Sequence, residues 1–323
     1  MIRRPPRSTQ GVSSAASDVY KRQSLMSESP IPKIAPGHLF CFGLGFTASR
    51  LALRLLEAGW RISGTTRSLE NVEKWTSMGI ETYLFDGTAA ISAKADLFSD
   101  ITHLIASIPP TDLGELPLLF HQKQLVSSEK LEWAAYLSTP AVYGDRGGAF
   151  VSEADCPQPG SRRGERRLKA ENSWLDALKN SSTSIQIMRL AGIYGPGRNL
   201  IDQVLGGRAR IIEKQNQVFN RIHVDDIGTI LMASMDRPND GAIYNVADQE
   251  ACPSGDVVRF ACKLAGIAAP EPILFEDAEL SEMAKSFYSE CKRLVTEKIK
   301  NELGVELQYP TYREGLKSIF ENR

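Results

Sequence analysis

Short apolar runs alternate with longer amphipathic stretches from residue 38 to about residue 189. The strand-like runs are Leu39–Phe42, Arg61–Thr65, Glu81–Phe85, His103–Ala106, Trp133–Leu137 and Ser184–Arg189. Helical periodicity lies between most of them, at Ala48–Ala58, Leu69–Met78, Leu116–Val126 and Arg163–Leu178. This alternation predicts an α/β fold, a doubly wound (Rossmann) parallel sheet with right-handed crossovers.

The pattern changes after Arg189, where a turn-rich passage and a mostly helical C-terminal part follow. A helix at Asp225–Met235 and a strand at Ala242–Val246 interrupt that part. We therefore predict a dinucleotide-binding domain over residues 37–190 plus about 223–248. Residues from about 191 to 222 and from 249 to 323 are predicted to form a small, mostly helical domain that caps the substrate.

Residues 1–36 do not share this periodicity, and we predict a disordered leader there. Its first 25 residues are rich in Arg and Ser and resemble translated adapter sequence, so we interpret them as non-native; a targeting peptide is the alternative. They carry five basic residues and one acidic residue, so the rest of the chain has a net charge of −5 instead of −1. A mildly acidic chain without a basic stripe does not favour nucleic-acid binding.

A glycine turn joins the first predicted strand to the first predicted helix. Gly43 permits the tight turn, and Gly45 leaves room for a phosphate against the backbone. Backbone N–H groups from about Phe46 and Thr47 onward would face the anion at the positive end of the helix dipole. The small Ala48 completes a G-x-G-x-x-A fingerprint. The pattern predicts dinucleotide binding; a merely structural turn is the alternative.

The end of the second predicted strand indicates which dinucleotide would bind. An Asp or Glu usually accepts the ribose 2′-hydroxyl of NAD there, but this chain has Thr65, Thr66 and Arg67. A guanidinium pairs with a 2′-phosphate, which a carboxylate would repel. We therefore expect NADP(H) to be favoured over NAD(H). The alternative for Arg67 is a solvated residue at the start of the next helix.

Composition sets further bounds on the kind of protein. The chain has 323 residues, 42% hydrophobic and 24% charged, and no apolar run long enough to suggest a membrane span. Its five cysteines are scattered and its four histidines lack metal-ligand spacing. We expect reduced thiols in a cytoplasmic protein, with no metal site and no membrane partner.

Several motifs resemble those of the extended short-chain dehydrogenase/reductases, the group that contains nucleotide-sugar epimerases and dehydratases. They are the glycine turn, LSTPAVYGD from Leu137, MRLAGIYGPGR from Met188 and NRIHVDDI from Asn220. The resemblance implies that Asp86 meets the adenine and Ser107 lines the cofactor. It also implies pairing of two chains into a homodimer.

The resemblance places Thr139 where the family keeps a catalytic Ser or Thr, although a satisfied strand-end hydroxyl is the alternative. The family's Tyr-x-x-x-Lys is absent, because Arg163 and Arg167 stand at the Tyr and Lys positions. The two arginines share one helix face, and they can bind an anion or stabilise an oxyanion but cannot exchange protons near neutral pH. This loss resembles the atypical extended subgroup that lacks the active-site tyrosine. A solvated charged helix is the alternative.

Other side chains could replace the missing acid or bind the substrate. Tyr143 could reach the nicotinamide, and His223 could donate a proton or bind substrate, although a structural role for His223 is the alternative. Arg198 and Arg221 fall where related enzymes hold substrate phosphates, so the small-molecule substrate is expected to be anionic. Asp225 or Asp226 is predicted to cap the following helix.

We therefore expect an oxidoreductase or epimerase-like enzyme that binds NADP(H) and acts on a small metabolite. The alternative is a non-catalytic NADP(H)-binding protein that senses the redox state of the cofactor, because the proton relay of the family is missing.

Overall fold

A computed structural model describes residues 35–92 and 97–323; the predicted leader therefore lies almost wholly outside the described residues, and its first 25 residues do so completely. Nine α-helices lie in this described part of the chain. They are α1 (Phe46–Glu57), α2 (Leu69–Ser77), α3 (Leu116–Val126), α4 (Arg162–Leu178), α5 (Leu200–Leu205), α6 (Val224–Asp236), α7 (Ser254–Ala265), α8 (Glu282–Tyr288) and α9 (Tyr312–Glu321). Shorter helical turns are Pro140–Tyr143, Phe275–Asp277 and Ile299–Leu303.

Thirteen strands lie in the same described ranges. They are β1 (His38–Phe42), β2 (Arg61–Thr66), β3 (Glu81–Leu84), β4 (His103–Ala106), β5 (Trp133–Ser138), β6 (Phe150–Val151), β7 (Ser184–Leu190), β8 (Gly192–Tyr194), β9 (Ile211–Glu213), β10 (Arg221–His223), β11 (Ile243–Val246), β12 (Pro272–Leu274) and β13 (Arg293–Leu294). Seven of them form one parallel sheet in the order β3-β2-β1-β4-β5-β7-β11.

This sheet confirms the predicted doubly wound α/β class. The chain moves outward from β1 to β3 and then returns to place β4 on the other side of β1, so the strand order reverses between β1 and β4. In open parallel sheets, ligands bind beyond the carboxyl ends of the strands at such a switch point. The glycine turn follows β1 directly, which positions it there.

Burial on both faces explains why strand β1 is apolar from Leu39 to Phe42. All five of its residues are buried, and they point alternately to the two faces of the sheet. Leu39 and Cys41 pack into one core cluster, whereas Phe40 and Phe42 pack into a second one. A parallel sheet covered by helices on both faces needs such strands.

The C-terminal part has a hydrophobic cluster of its own, separate from the two clusters that cover the sheet. It includes Tyr194, Ile201, Val257 and Leu316. Besides helices, this part holds short parallel pairs of strands, β8 with β10 and β9 with β12. Helix α6 and strand β11 return from this part to the large sheet.

Candidate active site

The glycine turn is locked between the ends of three strands. Gly43 has φ +92°, and a Cβ on it would lie 3.0 Å from Ser107 Oγ. The Gly43 N–H donates to Thr65 Oγ1 at 2.9 Å, and Ser107 Oγ donates to the Gly43 carbonyl at 2.7 Å. A side chain at position 43 would therefore be strained and crowded.

Helix α1 begins at this turn with its first N–H groups free of a side-chain cap. Its N-cap is Gly45, in extended backbone, and its first turn has no acidic residue. A Cβ built on Gly45 meets nothing within 4 Å, and Gly45, Phe46 and Thr47 all line a cavity. An uncapped helix N-terminus with open space before it fits the pyrophosphate of a dinucleotide.

The cavity has a volume of about 1010 Å³ and runs from the glycine turn to the small C-terminal part. Ser107, Thr139, Arg163 and Arg167 also line it. The Thr139 hydroxyl accepts from the Ala141 N–H at 3.4 Å, a long hydrogen bond that leaves its own proton available. One open space therefore joins the glycine turn to a hydroxyl and two guanidinium groups.

The four arginines at the start of α4 divide into two pairs, as their i, i+4 spacing requires. Arg162 and Arg166 turn outward and share Asp112 Oδ1, at 2.9 and 2.5 Å. Arg163 and Arg167 turn into the cavity. Burial and the neighbouring charge of Arg167 lower the pKa of Arg163. One pair of these arginines is thus ion-paired to Asp112, and the other pair faces the cavity.

Arg163 and Arg167 each also contact an aromatic ring. The Arg163 guanidinium lies 5.0 Å from the centre of the Phe287 ring, which belongs to α8. The Arg167 guanidinium lies 5.6 Å from the Tyr136 ring and donates to the Tyr136 hydroxyl and the Leu137 carbonyl, both at 2.9 Å. These contacts fix the directions of the two charges.

Arg198 and Arg221 line the same cavity. The Arg198 guanidinium lies 5.7 Å from the centre of the Phe46 ring, so it reaches the cofactor end as well as the substrate end. Arg221 donates to the Phe219 carbonyl at 3.0 Å, which uses part of its hydrogen-bonding capacity.

Four charged side chains in the cavity wall, Asp202, Arg208, Glu290 and Lys292, were not identified from the sequence. Arg208 follows α5, and Lys292 is paired with Glu290 at 2.6 Å near β13. No local pattern marks them, because tertiary packing alone brings these segments to the cavity. Counting them, the wall has more positive than negative groups, which favours an anionic ligand.

Two residues predicted to serve catalysis or substrate binding, Tyr143 and His223, lie outside the cavity wall. Tyr143 is fully buried, and its hydroxyl donates to Asn245 Oδ1 at 2.8 Å, toward β11. His223 is also buried; its Nδ1 accepts from the Asp225 N–H, so His223 caps α6 and the predicted aspartate cap is wrong. Burial lowers the pKa of His223 to about 4. These placements do not support catalytic or substrate roles for Tyr143 and His223.

The two residues predicted to meet the adenosine half lie beyond β2 and β3, outside the cavity wall. Arg67 is exposed beside Ser68, whose side chain caps α2. Asp86 accepts from the Thr88 N–H and hydroxyl at 2.9 and 2.7 Å, and these bonds lower its pKa. Asp86 thus stabilises its own loop through these two hydrogen bonds and remains ionised there.

Within the described ranges, no helix is long and apolar enough to cross a membrane. No group of three or more His, Cys, Asp or Glu side chains in that part of the chain could hold a metal ion.

The fold matches that of solved NAD-dependent epimerases and dehydratases. The chain superposes on UDP-glucuronic acid 4-epimerase from Bacillus cereus in complex with NAD, with a TM-score of 0.69 and 19% identity, covering 88% of this chain and 96% of that chain.

At the level of sequence, the chain belongs to one family with a functionally unknown conserved protein from Silicibacter pomeroyi. The two are 41% identical, with a TM-score of 0.81, over 88% of this chain and 99% of that chain. Protein YeeZ from Escherichia coli K12 is 29% identical over 276 residues, covering 83% of this chain and 94% of YeeZ. No protein-family model matches the chain.

Proposed function

We propose that the protein is a NAD(P)-dependent oxidoreductase or epimerase-like enzyme that prefers NADP(H) and acts on a small anionic metabolite. The observation that carries this proposal is the extent of the cavity of about 1010 Å³. It joins the uncapped start of α1 at Gly45 to Thr139, Arg163 and Arg167. A cofactor and a second anion would therefore meet in one space.

The cofactor would be held mainly by backbone. Gly45, Phe46 and Thr47 present helix N–H groups to the pyrophosphate, and Ser107 supports the turn from β4. When bound, the nicotinamide supplies the hydride chemistry, for which the protein contributes binding and orientation. The exposed guanidinium of Arg67 supports the preference for NADP(H), because it is free to pair with a 2′-phosphate.

The substrate would be oriented by charge. Arg163 and Arg167 bind a carboxylate or phosphate, or stabilise an oxyanion that develops beside the Thr139 hydroxyl. Neither arginine can exchange a proton near neutral pH, so any proton transfer falls to Thr139 or to water. Arginine at both positions also supports the atypical subgroup that lacks the active-site tyrosine.

A cytoplasmic location fits the cysteines, since all five are free. The predicted homodimer stays a prediction.

A second candidate function is a non-catalytic NADP(H)-binding sensor. Two placements favour it: arginines occupy both relay positions, and Tyr143 is turned away from the cavity. An enzyme changes the redox state of the bound cofactor with a metabolite, whereas a sensor changes only its shape or its partners.

The test is turnover by the full chain loaded with NADPH, followed by nicotinamide absorbance while fractionated small-molecule extract is added. We expect oxidation to track one fraction enriched in carboxylated or phosphorylated compounds. Tight NADPH binding without redox change in any fraction would overturn an oxidoreductase. If the metabolites in every fraction also stayed unchanged, an epimerase-like enzyme, which restores its cofactor in each turnover, would be overturned as well in favour of the sensor.

A further inference from the structure

A buried carboxyl group lies behind the cavity at the start of α3. The Glu115 residue is only 5% exposed, and its carboxylate accepts from Trp174 Nε1 at 2.9 Å and from the Tyr136 hydroxyl at 3.2 Å. Both donors are neutral. No ion pair reaches Glu115 among the described residues, although an unpaired buried carboxylate is costly.

The Tyr136 hydroxyl connects this carboxyl group to the cavity. It is fully buried, donates to Glu115 and accepts from Arg167 Nη1 at 2.9 Å. The three groups form one hydrogen-bonded line from the interior to the cavity wall. Because Tyr136 has one proton to donate, its bond to Glu115 leaves its lone pair directed at Arg167.

The charged groups around Glu115 come from three elements. Helix α4 contributes Arg167, whose positive charge acts on Glu115, and β5 contributes only the Tyr136 hydroxyl. The loop before α3 carries Asp112, which Arg162 and Arg166 already neutralise from the outer face of α4. Arg167 is therefore the cation with which Glu115 is coupled.

We propose that Glu115 is a positioning residue for Arg167, acting through the Tyr136 hydroxyl to set the direction and the net charge that Arg167 presents to an anion in the cavity. This inference rests on the proposed function only in assuming that the cavity binds an anion at Arg167. An ionised Glu115 partly offsets the positive charge of Arg167, and a protonated Glu115 does not.

Burial raises the pKa of Glu115, so its carboxyl takes up a proton at a higher pH than an exposed glutamate does. As pH falls through that pKa, the line from Glu115 to Arg167 gains one positive charge. Anion affinity at Arg167 should then rise.

The test is calorimetric titration of the full chain with sulfate, whose own charge is constant between about pH 5 and 8. We expect sulfate to bind more tightly as pH falls. Glu115→Gln should bind sulfate roughly 3- to 10-fold more tightly at the upper end of this range and lose most of the pH dependence. The matched control is Asp112→Asn, which also removes a carboxylate beside α4 and should keep the wild-type pH dependence.

Tyr136→Phe provides a second variant that does not alter the carboxylate. Removing the hydroxyl breaks the line, so the pH dependence should shrink while Glu115 remains. If Glu115→Gln does not fold, the pH dependence of sulfate binding in Tyr136→Phe alone tests the inference. The inference is overturned if the pH dependence survives in the variants that fold, or if sulfate does not bind to the wild type at all.

NADPH affinity, followed by nicotinamide fluorescence, separates this inference from the proposed function. Failure to bind NADPH would overturn the proposed function and leave the sulfate result standing. NADPH binding together with an unchanged sulfate profile in Glu115→Gln would overturn this inference alone.

Discussion

The two ends of the cavity are built from different parts of the chain. The cofactor end is made mostly of backbone, at Gly43, Gly45 and the first turn of α1. The other end is made of long charged side chains, among them Arg163, Arg167 and Lys292. Backbone N–H groups can approach a phosphate closely only where no side chain stands in the way. A guanidinium instead binds an anion through the charged N–H donors at the tip of its own side chain. The difference predicts that enlarging a side chain damages one end and truncating a side chain damages the other.

The largest effect should come from Gly45→Val at the cofactor end. A Cβ at this position meets no atom of the protein within 4 Å, so the fold should tolerate it. The side chain would instead occupy the space before the helix N–H groups, and NADPH affinity should fall about 100-fold. Fluorescence titration with NADPH checks this.

The matched control for Gly45→Val is Gly160→Ala. A Cβ on Gly160 also meets nothing within 4 Å, but Gly160 does not line the cavity. Equal NADPH affinities in the two variants would contradict the backbone-built cofactor end.

At the other end, replacing Arg163 and Arg167 together by Gln should weaken sulfate binding by about 10- to 100-fold. The two lost charges belong to the end of the cavity away from the glycine turn, so NADPH affinity should change much less. The matched control replaces Arg162 and Arg166 by Gln on the same helix. These two arginines are already ion-paired with Asp112. If both double variants lost sulfate equally, the division of the four arginines would be wrong.

Arg67→Glu tests the one charged side chain assigned to the cofactor end. The carboxylate should repel a 2′-phosphate and accept a 2′-hydroxyl, so NADPH binding should weaken by about 10-fold or more while NADH binding changes little. Parallel titrations with the two cofactors measure it. Equal loss of both would remove the assignment of Arg67 to the 2′-phosphate.

A different kind of effect, on stability instead of binding, concerns Asp248, which is buried with its Oδ2 unpaired. Burial raises the pKa of Asp248 to about 7, so its neutral form stabilises the fold at low pH, and this stability is lost as pH rises through about 7. Asp248→Asn cannot ionise. The free energy of unfolding of the variant, measured relative to wild type, should therefore rise by about 2 kcal/mol from about pH 5 to about pH 8.

Urea unfolding at the two pH values checks the Asp248 prediction. Asp226 and His223 titrate in both proteins, so their contributions largely cancel in the comparison. A difference between variant and wild type that does not change with pH would contradict it.

The same contrast explains what the sequence could predict. Hydrophobic periodicity located the strands of the large sheet within about one residue, because all of them except the edge strand β3 are largely buried. Gly43 and Gly45 were readable because a strand, a turn and a helix follow one another locally. Arg163 and Arg167 were found from the resemblance to the family motif, and their i, i+4 spacing predicted the shared helix face that lines the cavity.

The rest depended on contacts that no local pattern encodes. Lys292 reaches the cavity from the C-terminal part, and Glu115 reaches Arg167 only through Tyr136. Tyr143 lies close in sequence to Thr139, yet its ring is turned to Asn245 by packing against β11. Side-chain direction at such positions is decided by tertiary structure and not by spacing.

The most direct measurement is a crystal structure of the full chain with NADP⁺ and sulfate. We expect a pyrophosphate over Gly45 at the start of α1, a 2′-phosphate on Arg67, and a separate sulfate between Arg163 and Arg167. A dinucleotide bound elsewhere, or a sulfate on Arg162 and Arg166 with the inner pair empty, would contradict the two-ended cavity.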